Sequence, residues 1–170
     1  MHDLLGRCGT LHTALDVPCG TGRFQGVLRT APGVPRVVSA DASLAMLGEH
    51  PDGERLAASA AALPFRAAAF DAVLCARLLH HFETSAQRAA VMAELARVSR
   101  RWVVASYYDM RSWQAFRNRV RKRFRGRWPV PRAVFQADAL QAGLTVRARV
   151  PLLRGISEQV WVLLEKGDRR

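Results

Sequence analysis

Cysteine is scarce, and the three present (Cys8, Cys19 and Cys75) form an odd set with no C-x-x-C spacing. That argues against a disulfide framework and against a zinc knuckle; no metal site is expected, and a reducing, cytoplasmic setting is the default. No uninterrupted apolar run is long enough to span a bilayer, although hydrophobic residues make up 49% of the chain. The start, Met1-His2-Asp3-Leu4-Leu5-Gly6, lacks a cationic region followed by a long apolar one, so it does not read as a secretory signal. Lysine is nearly absent too: of 26 basic residues all but Lys122 and Lys166 are arginine, against 14 acids and a net charge of +12. That excess is spread over an alanine-rich chain, as coding-base bias alone would spread it, so charge by itself selects no partner. There are no repeats, linkers or low-complexity segments, and 170 residues suit one domain with a proper core.

What is present is a junction. Ala14-Leu15-Asp16-Val17 is a short apolar run ending beside an acid, Pro18-Cys19-Gly20-Thr21-Gly22 is a tight turn, and Arg23-Phe24 opens a helix. Glycines let a ligand approach the main chain, and free N–H groups point at it. Pro18 removes one N–H and fixes φ, so the turn must already suit it.

Strands and helices then alternate. Strands are expected at Thr13 to Val17, Pro35 to Ala40, Arg55 to Ala58, Phe70 to Cys75 and Trp102 to Tyr107. Helices are expected from Arg23 to Arg29, from Ser43 to Leu47, from Thr84 to Ser99, from Ser112 to Arg125 and from Arg132 to Ala142. Two last strands, Leu144 to Val150 and Gln159 to Leu164, follow without a helix between them. This is an α/β pattern with a largely parallel sheet and an antiparallel hairpin at one edge.

In such sheets ligands bind at the carboxyl ends of the strands. Asp41 ends the second strand about 20 residues past the glycines, where an acid accepts hydrogen bonds from both ribose hydroxyls. A nicotinamide dinucleotide would want Gly-x-Gly-x-x-Gly, but the third glycine, Gly26, comes one residue late. Asp16 would also repel a pyrophosphate, whereas it attracts the ammonium and sulfonium of S-adenosylmethionine.

Four stretches in order carry a resemblance: Leu15 to Gly22, Ser39 to Leu47, Ala62-Leu63-Pro64-Phe65 with Phe70 to Phe82, and Glu94 to Val98. Together they resemble the class I S-adenosylmethionine-dependent methyltransferases of the small-molecule, single-domain type. The resemblance implies a Rossmann-like sheet of seven strands with the last antiparallel and helices on both faces. It implies one domain over 1–170, with a basic amphipathic insert at about 111–132. It also implies that Asp16, Pro18, Cys19, Gly20 and Gly22 surround the methionine part of the cofactor. Asp41 would hold the ribose, Ala42 and Met46 would pack on the adenine, Ser59 and Ala60 would meet its edge, and Cys75 would lie near the transferred methyl. Ser59 stands where an acid is usual; a hydroxyl still accepts a hydrogen bond, without charge. The family usually has helices ahead of the first strand that cover the cofactor. Here Met1 to Leu11 leave room for one helical turn, so a second copy or a partner chain is expected to cover that side, or it stays open.

Methyl transfer asks mainly for positioning, with a base only if the acceptor must lose a proton. His81 is the preferred candidate base and His80 the second, with Arg77, Tyr107, Tyr108 and Asp109 as acceptor contacts. The fourth strand lacks the proline context of thiolate methylation at pyrimidine C5 and the Asn/Asp-Pro-Pro-aromatic motif of amino-group methylation, so Cys75 reads as a buried wall. Between Arg111 and Arg132 lie nine basic residues, with Trp113, Phe116, Val120 and Phe124 on one helical stripe. The plain reading is a helix packed on its own domain; the sharper ones are a cover for an anionic substrate, an anionic membrane contact or an RNA phosphate contact. The expectation is methyl transfer to a small, anionic or lipid-linked acceptor, the alternatives being an RNA methyltransferase or a non-catalytic subunit needing a partner.

Overall fold

The computed structural model describes residues 1–34, 36–50, 53–120, 126–153 and 156–167, with backbone only at 116 and 118–120. Strands β1 (Thr13–Asp16), β2 (Arg36–Asp41), β3 (Glu54–Ala57), β4 (Phe70–Cys75), β5 (Ser99–Tyr108), β6 (Leu144–Pro151) and β7 (Gln159–Lys166) form one sheet in the order β3-β2-β1-β4-β5-β7-β6. The five strands from β3 to β5 run parallel; β7 is antiparallel to both β5 and β6. Helices α1 (His2–Gly6), α2 (Gln25–Arg29), α3 (Leu44–Gly48), α4 (Ser85–Val98), α5 (Trp113–Val120) and α6 (Arg132–Gln141) complete the fold, with a 3-10 turn at Leu79–His81.

β1 and β4 read as unbroken apolar runs because both their faces are covered. On one face Leu15, Val38, Val73 and Val103 meet Met92 and Leu95 of α4 and Phe135 and Ala139 of α6. On the other, Ala14, Leu74 and Val104 meet Leu4 and Leu5 of α1 and Leu28 of α2. α4 starts where Thr84 and Gln87 form a reciprocal capping box, each satisfying a backbone N–H that would otherwise lack a partner.

Several boundaries move from the sequence expectation. β5 begins at Ser99, directly after α4, rather than at Trp102. Its polar start is held by tertiary pairing: Ser99 registers with Phe70, Arg100 binds Asp71 and Arg101 binds Glu165. α2 starts at Gln25, two residues late, because Gly20 (φ 55°) and Gly22 (φ 78°) carry the chain through successive turns first. The basic helix expected to Arg125 is seen as α5 to Val120; its continuation and the side chains of Phe116, Val120 and Phe124 lie outside the described residues. The one turn allowed for Met1 to Leu11 is α1. Among the described residues no helix is long and apolar enough to cross a membrane.

Candidate active site

Parallel pairing brings the ends of β1, β2 and β4 side by side, and the turn after β1 folds across them. Its backbone is pinned on both flanks of Pro18: Val17 N–H donates to the Leu74 carbonyl and Cys19 N–H to the Ala40 carbonyl, each at 2.9 Å. Proline between two bonded amides leaves no ladder donor missing, which is why the turn accepts it. Gly20 and Gly22 both occupy the left-handed region, where a side chain is strained.

Asp41 joins the turn to β2. One carboxylate oxygen accepts from Gly20 N–H at 2.8 Å and the other from Ser43 N–H at 2.8 Å. Ser43 in turn caps α3, its hydroxyl accepting from Met46 N–H. Each oxygen of Asp41 keeps a lone pair for a further donor.

Asp16 is the exceptional group. It is fully buried at the end of β1, and neither carboxylate oxygen has a hydrogen-bond partner among the described residues. Burial, with the Asp41 charge adding to it, pushes its pKa up to about 8. A buried acid without a partner is costly and rare, and it suits a site built for a cation.

The turn and Asp41 border an open cavity of about 500 Å³, within the usual range of small-molecule sites, roughly 300–1,000 Å³. Its walls include Pro18, Cys19, Gly20, Asp41, Met46 and Arg77 from the residues singled out in sequence. Gly22 is buried within the turn and Asp16 beneath it, while Ala42, Ser59 and Ala60 stand outside those walls. The Ser59 hydroxyl accepts from Ala61 N–H at 3.2 Å and so closes its own turn. Thr21, Arg23, Phe24, Ser43 and Ala76 also line the cavity, although none was singled out beforehand. Their signal was adjacency, since each lies within two residues of a predicted contact.

Cys75 is fully buried in the core facing α4, and burial holds its thiol well above the ordinary range. Arg77, just past β4, has a left-handed backbone (φ 57°) tied by its N–H to the Ser106 hydroxyl at 2.8 Å. Outside glycine that conformation costs roughly 1–2 kcal/mol. Arg77→Gly is therefore expected to raise the melting temperature by about 2–8 °C in a calorimetric scan; a fall would mean that the arginine side chain stabilises the fold by more than its backbone strain costs.

The two histidines part company. His80 is buried and stacks on Tyr108 at 3.9 Å, and burial, then His81, Arg127 and Arg77, push its imidazole down to about 3. It stays neutral at physiological pH and is a poor proton acceptor. His81 is exposed, with Nδ1 3.3 Å from the Gly126 carbonyl. Tyr107 and Asp109 converge on Arg149, whose guanidinium donates to the Tyr107 hydroxyl and to Asp109 Oδ2 at 2.9 Å. Tyr107 also stacks on Phe135, and burial pushes its hydroxyl up to about 12. These last groups form a separate cluster at the end of β5, outside the cavity walls.

A seven-stranded sheet with β7 reversed, a glycine turn after β1 and an acid ending β2 define the Rossmann-like fold of class I S-adenosylmethionine-dependent methyltransferases. The chain belongs to the methyltransferase domain family, whose sequence profile matches residues 15–104. Among curated proteins it is similar to the tRNA (carboxymethyluridine(34)-5-O)-methyltransferase alkbh8 of Xenopus tropicalis, with 30% identity over 143 residues, covering 81% of this chain and 21% of that protein. The mouse counterpart is 28% identical over 114 residues, covering 66% of this chain and 17% of that protein. The chain thus spans about a fifth of the length of these curated relatives. Among solved structures, an S-adenosylmethionine-dependent methyltransferase from Clostridium acetobutylicum superposes with a TM-score of 0.77 at 11% identity, covering 98% of this chain and 90% of that one. At such identity the likeness is one of fold.

Proposed function

We propose that this domain transfers a methyl group from S-adenosylmethionine to an acceptor carrying negative charge, either a small anion or an anionic group on a lipid. The observation that carries the reading is Asp16, a buried, unpartnered carboxylate beneath a glycine turn, suited to the ammonium of the donor's methionine part. Asp41 would receive the ribose hydroxyls while keeping its bonds to Gly20 and Ser43, and Met46 would cover one face of the adenine. When bound, the donor supplies a methyl carbon already activated by its sulfonium.

The chain's own contribution is placement and exclusion of water. Arg23 and Arg77 line the cavity, are exposed, and form no ion pair among the described residues, which fits an anionic acceptor. If the acceptor must lose a proton, His81 is our candidate base, since His80 holds its neutral form too firmly. A second reading, an RNA acceptor, is favoured by the two relatives named as tRNA methyltransferases. It requires affinity for RNA that falls steeply with salt, and a flat salt response would remove it.

The test of the main reading is calorimetric titration of the full chain with S-adenosylmethionine. Saturable binding is expected, and Asp41→Ala should weaken it by about 3 kcal/mol or more, roughly a hundredfold, since two hydrogen bonds to a charged group are lost. No binding to the unaltered chain would sink the proposal.

A further inference from the structure

The net charge of +12 is unevenly held across the fold. At the amino ends of the strands several arginines are ion-paired: Arg36 with Glu54 (2.6 Å), Arg100 with Asp71 (2.6 Å), Arg97 with Glu94 (2.7 Å), and Arg101 and Arg147 with the one carboxylate of Glu165 (2.7 and 2.5 Å). Arg55 and Arg66, with Arg7 after α1, are exposed on this side and form no ion pair among the described residues. At the carboxyl ends, Arg23, Arg77, Arg111, Arg117, Arg127 and Arg132 are all exposed, and none forms an ion pair among the described residues. The acids at this end are largely withdrawn: Asp16, Asp41 and Glu158 are buried and Asp109 binds Arg149, leaving Glu83 exposed. Exposed arginines without an ion pair among the described residues thus occur at both ends, and six of them gather on the carboxyl-end face.

That face is also apolar at its tip. In the β6–β7 connection Leu152, Leu153 and Ile156 are each 57–58% exposed, and Trp113 (59%), Met110 and Trp128 lie in the segments tied to it. The tip is built rather than loose. Leu152 N–H donates to the Gln159 carbonyl, Ile156 N–H to the Leu153 carbonyl, and Gln114 N–H of α5 to the Ile156 carbonyl. Asp109 N–H to Glu158 O and Met110 N–H to Val130 O join the same patch to β5 and to the segment before α6.

We propose that this face docks on an anionic bilayer surface, with Leu152, Leu153 and Ile156 entering the headgroup boundary and Arg111, Arg117, Arg127 and Arg132 lying over the lipid phosphates. Charge complementarity selects the partner: a basic side chain near an anionic membrane strengthens binding by roughly fivefold. Exposed indoles suit the interfacial zone, and aliphatic side chains partition into its apolar side. A single-stranded RNA would instead use aromatic and guanidinium planes for stacking, to which three aliphatic side chains add nothing. Arg23 and Arg77 belong to this face, so docking turns the cavity mouth toward the bilayer, where an acceptor carried on a lipid headgroup would be reached.

The test is co-sedimentation of the full chain with vesicles of mixed phosphatidylcholine and phosphatidylglycerol, with pure phosphatidylcholine as control and an oligouridylate as competitor. Binding to the anionic vesicles alone is expected. Joint substitution Leu152→Ser, Leu153→Ser and Ile156→Ser should lower it at least roughly tenfold, and Arg111→Gln with Arg117→Gln roughly twentyfold. Melting temperature and S-adenosylhomocysteine binding should stay unchanged, because these side chains are exposed and outside the cavity walls. Equal binding to neutral vesicles, no binding to either, an unaffected tip variant, or displacement by oligouridylate at equal phosphate would each overturn the proposal, the last in favour of RNA. Failure of the cofactor titration would leave the vesicle result standing.

Discussion

Asp16→Asn is expected to make the free protein more stable at neutral pH and a much weaker binder of S-adenosylmethionine. The acid's ordinary value is 3.8 and burial raises it to about 8 in the fold. Between those values the folded chain holds a proton that the unfolded chain has released, so stability falls as pH rises from about 4 to about 8 and is flat above. The limiting slope is about 1.4 kcal/mol per pH unit. Asn cannot titrate, so the variant's curve should lose this descent, which thermal melts across that pH range would read. Binding moves the other way. An ammonium opposite Asp16 needs the carboxylate ionised, so donor affinity should climb with pH up to about 8, and titrations in buffers of different ionisation heat should show a proton released. Losing the charge partner should cost about 2–5 kcal/mol, roughly 30- to 4,000-fold in affinity. Unchanged affinity and proton release in Asp16→Asn would separate this carboxylate from the cofactor altogether.

Asp138→Ala should be the most destabilising single change in the helical layers. Arg88 of α4 and Asp138 of α6 are both almost fully buried, with Nε 2.7 Å from Oδ2. The same guanidinium donates to the carbonyls of Phe82 and Glu83 and to the Ser85 hydroxyl. Removing one partner strands a buried charge, a loss of about 3–5 kcal/mol. For a chain of this size that lowers the melting temperature by roughly 6–20 °C. Replacing both, Arg88→Met with Asp138→Leu, should restore part of it, because no charge is then left buried without its partner, although the carbonyls of Phe82 and Glu83 lose their donor. If the double variant melts no higher than the single, the cost lies in lost packing rather than in the stranded guanidinium. The loop that Arg88 holds follows the turn carrying His80 and His81, so donor-saturated activity should fall with stability in the single variant.

The strand order was legible only in part from the residues. Periodicity and turn chemistry place most elements within a few positions, since β1 and β4 are apolar throughout and Ser43 and Thr84 are caps of ordinary kind. The start of β5 was not legible, because Arg100 and Arg101 look like a solvated turn until Asp71 and Glu165 are brought opposite them. The 3-10 turn over Leu79–His81 was likewise invisible, and it decides which histidine is buried.

At the candidate site, spacing alone drew attention to Gly20, Gly22, Asp16 and Asp41, because a backbone turn and an acid at a strand end are local chemistry. Tertiary structure decided the rest. It stripped Asp16 of partners, used Asp41 to hold the turn, folded Ser59 onto its own backbone and withdrew Tyr107 and Asp109 into a cluster with Arg149. It also left six exposed arginines without an ion pair among the described residues at the carboxyl ends of the strands, because ion pairing depends on which residues meet across the sheet. The amino-acid order determined the fold class and the acids flanking the glycine turn. The protonation of Asp16, and the gathering of exposed arginines at the carboxyl ends, arose only from burial and long-range pairing.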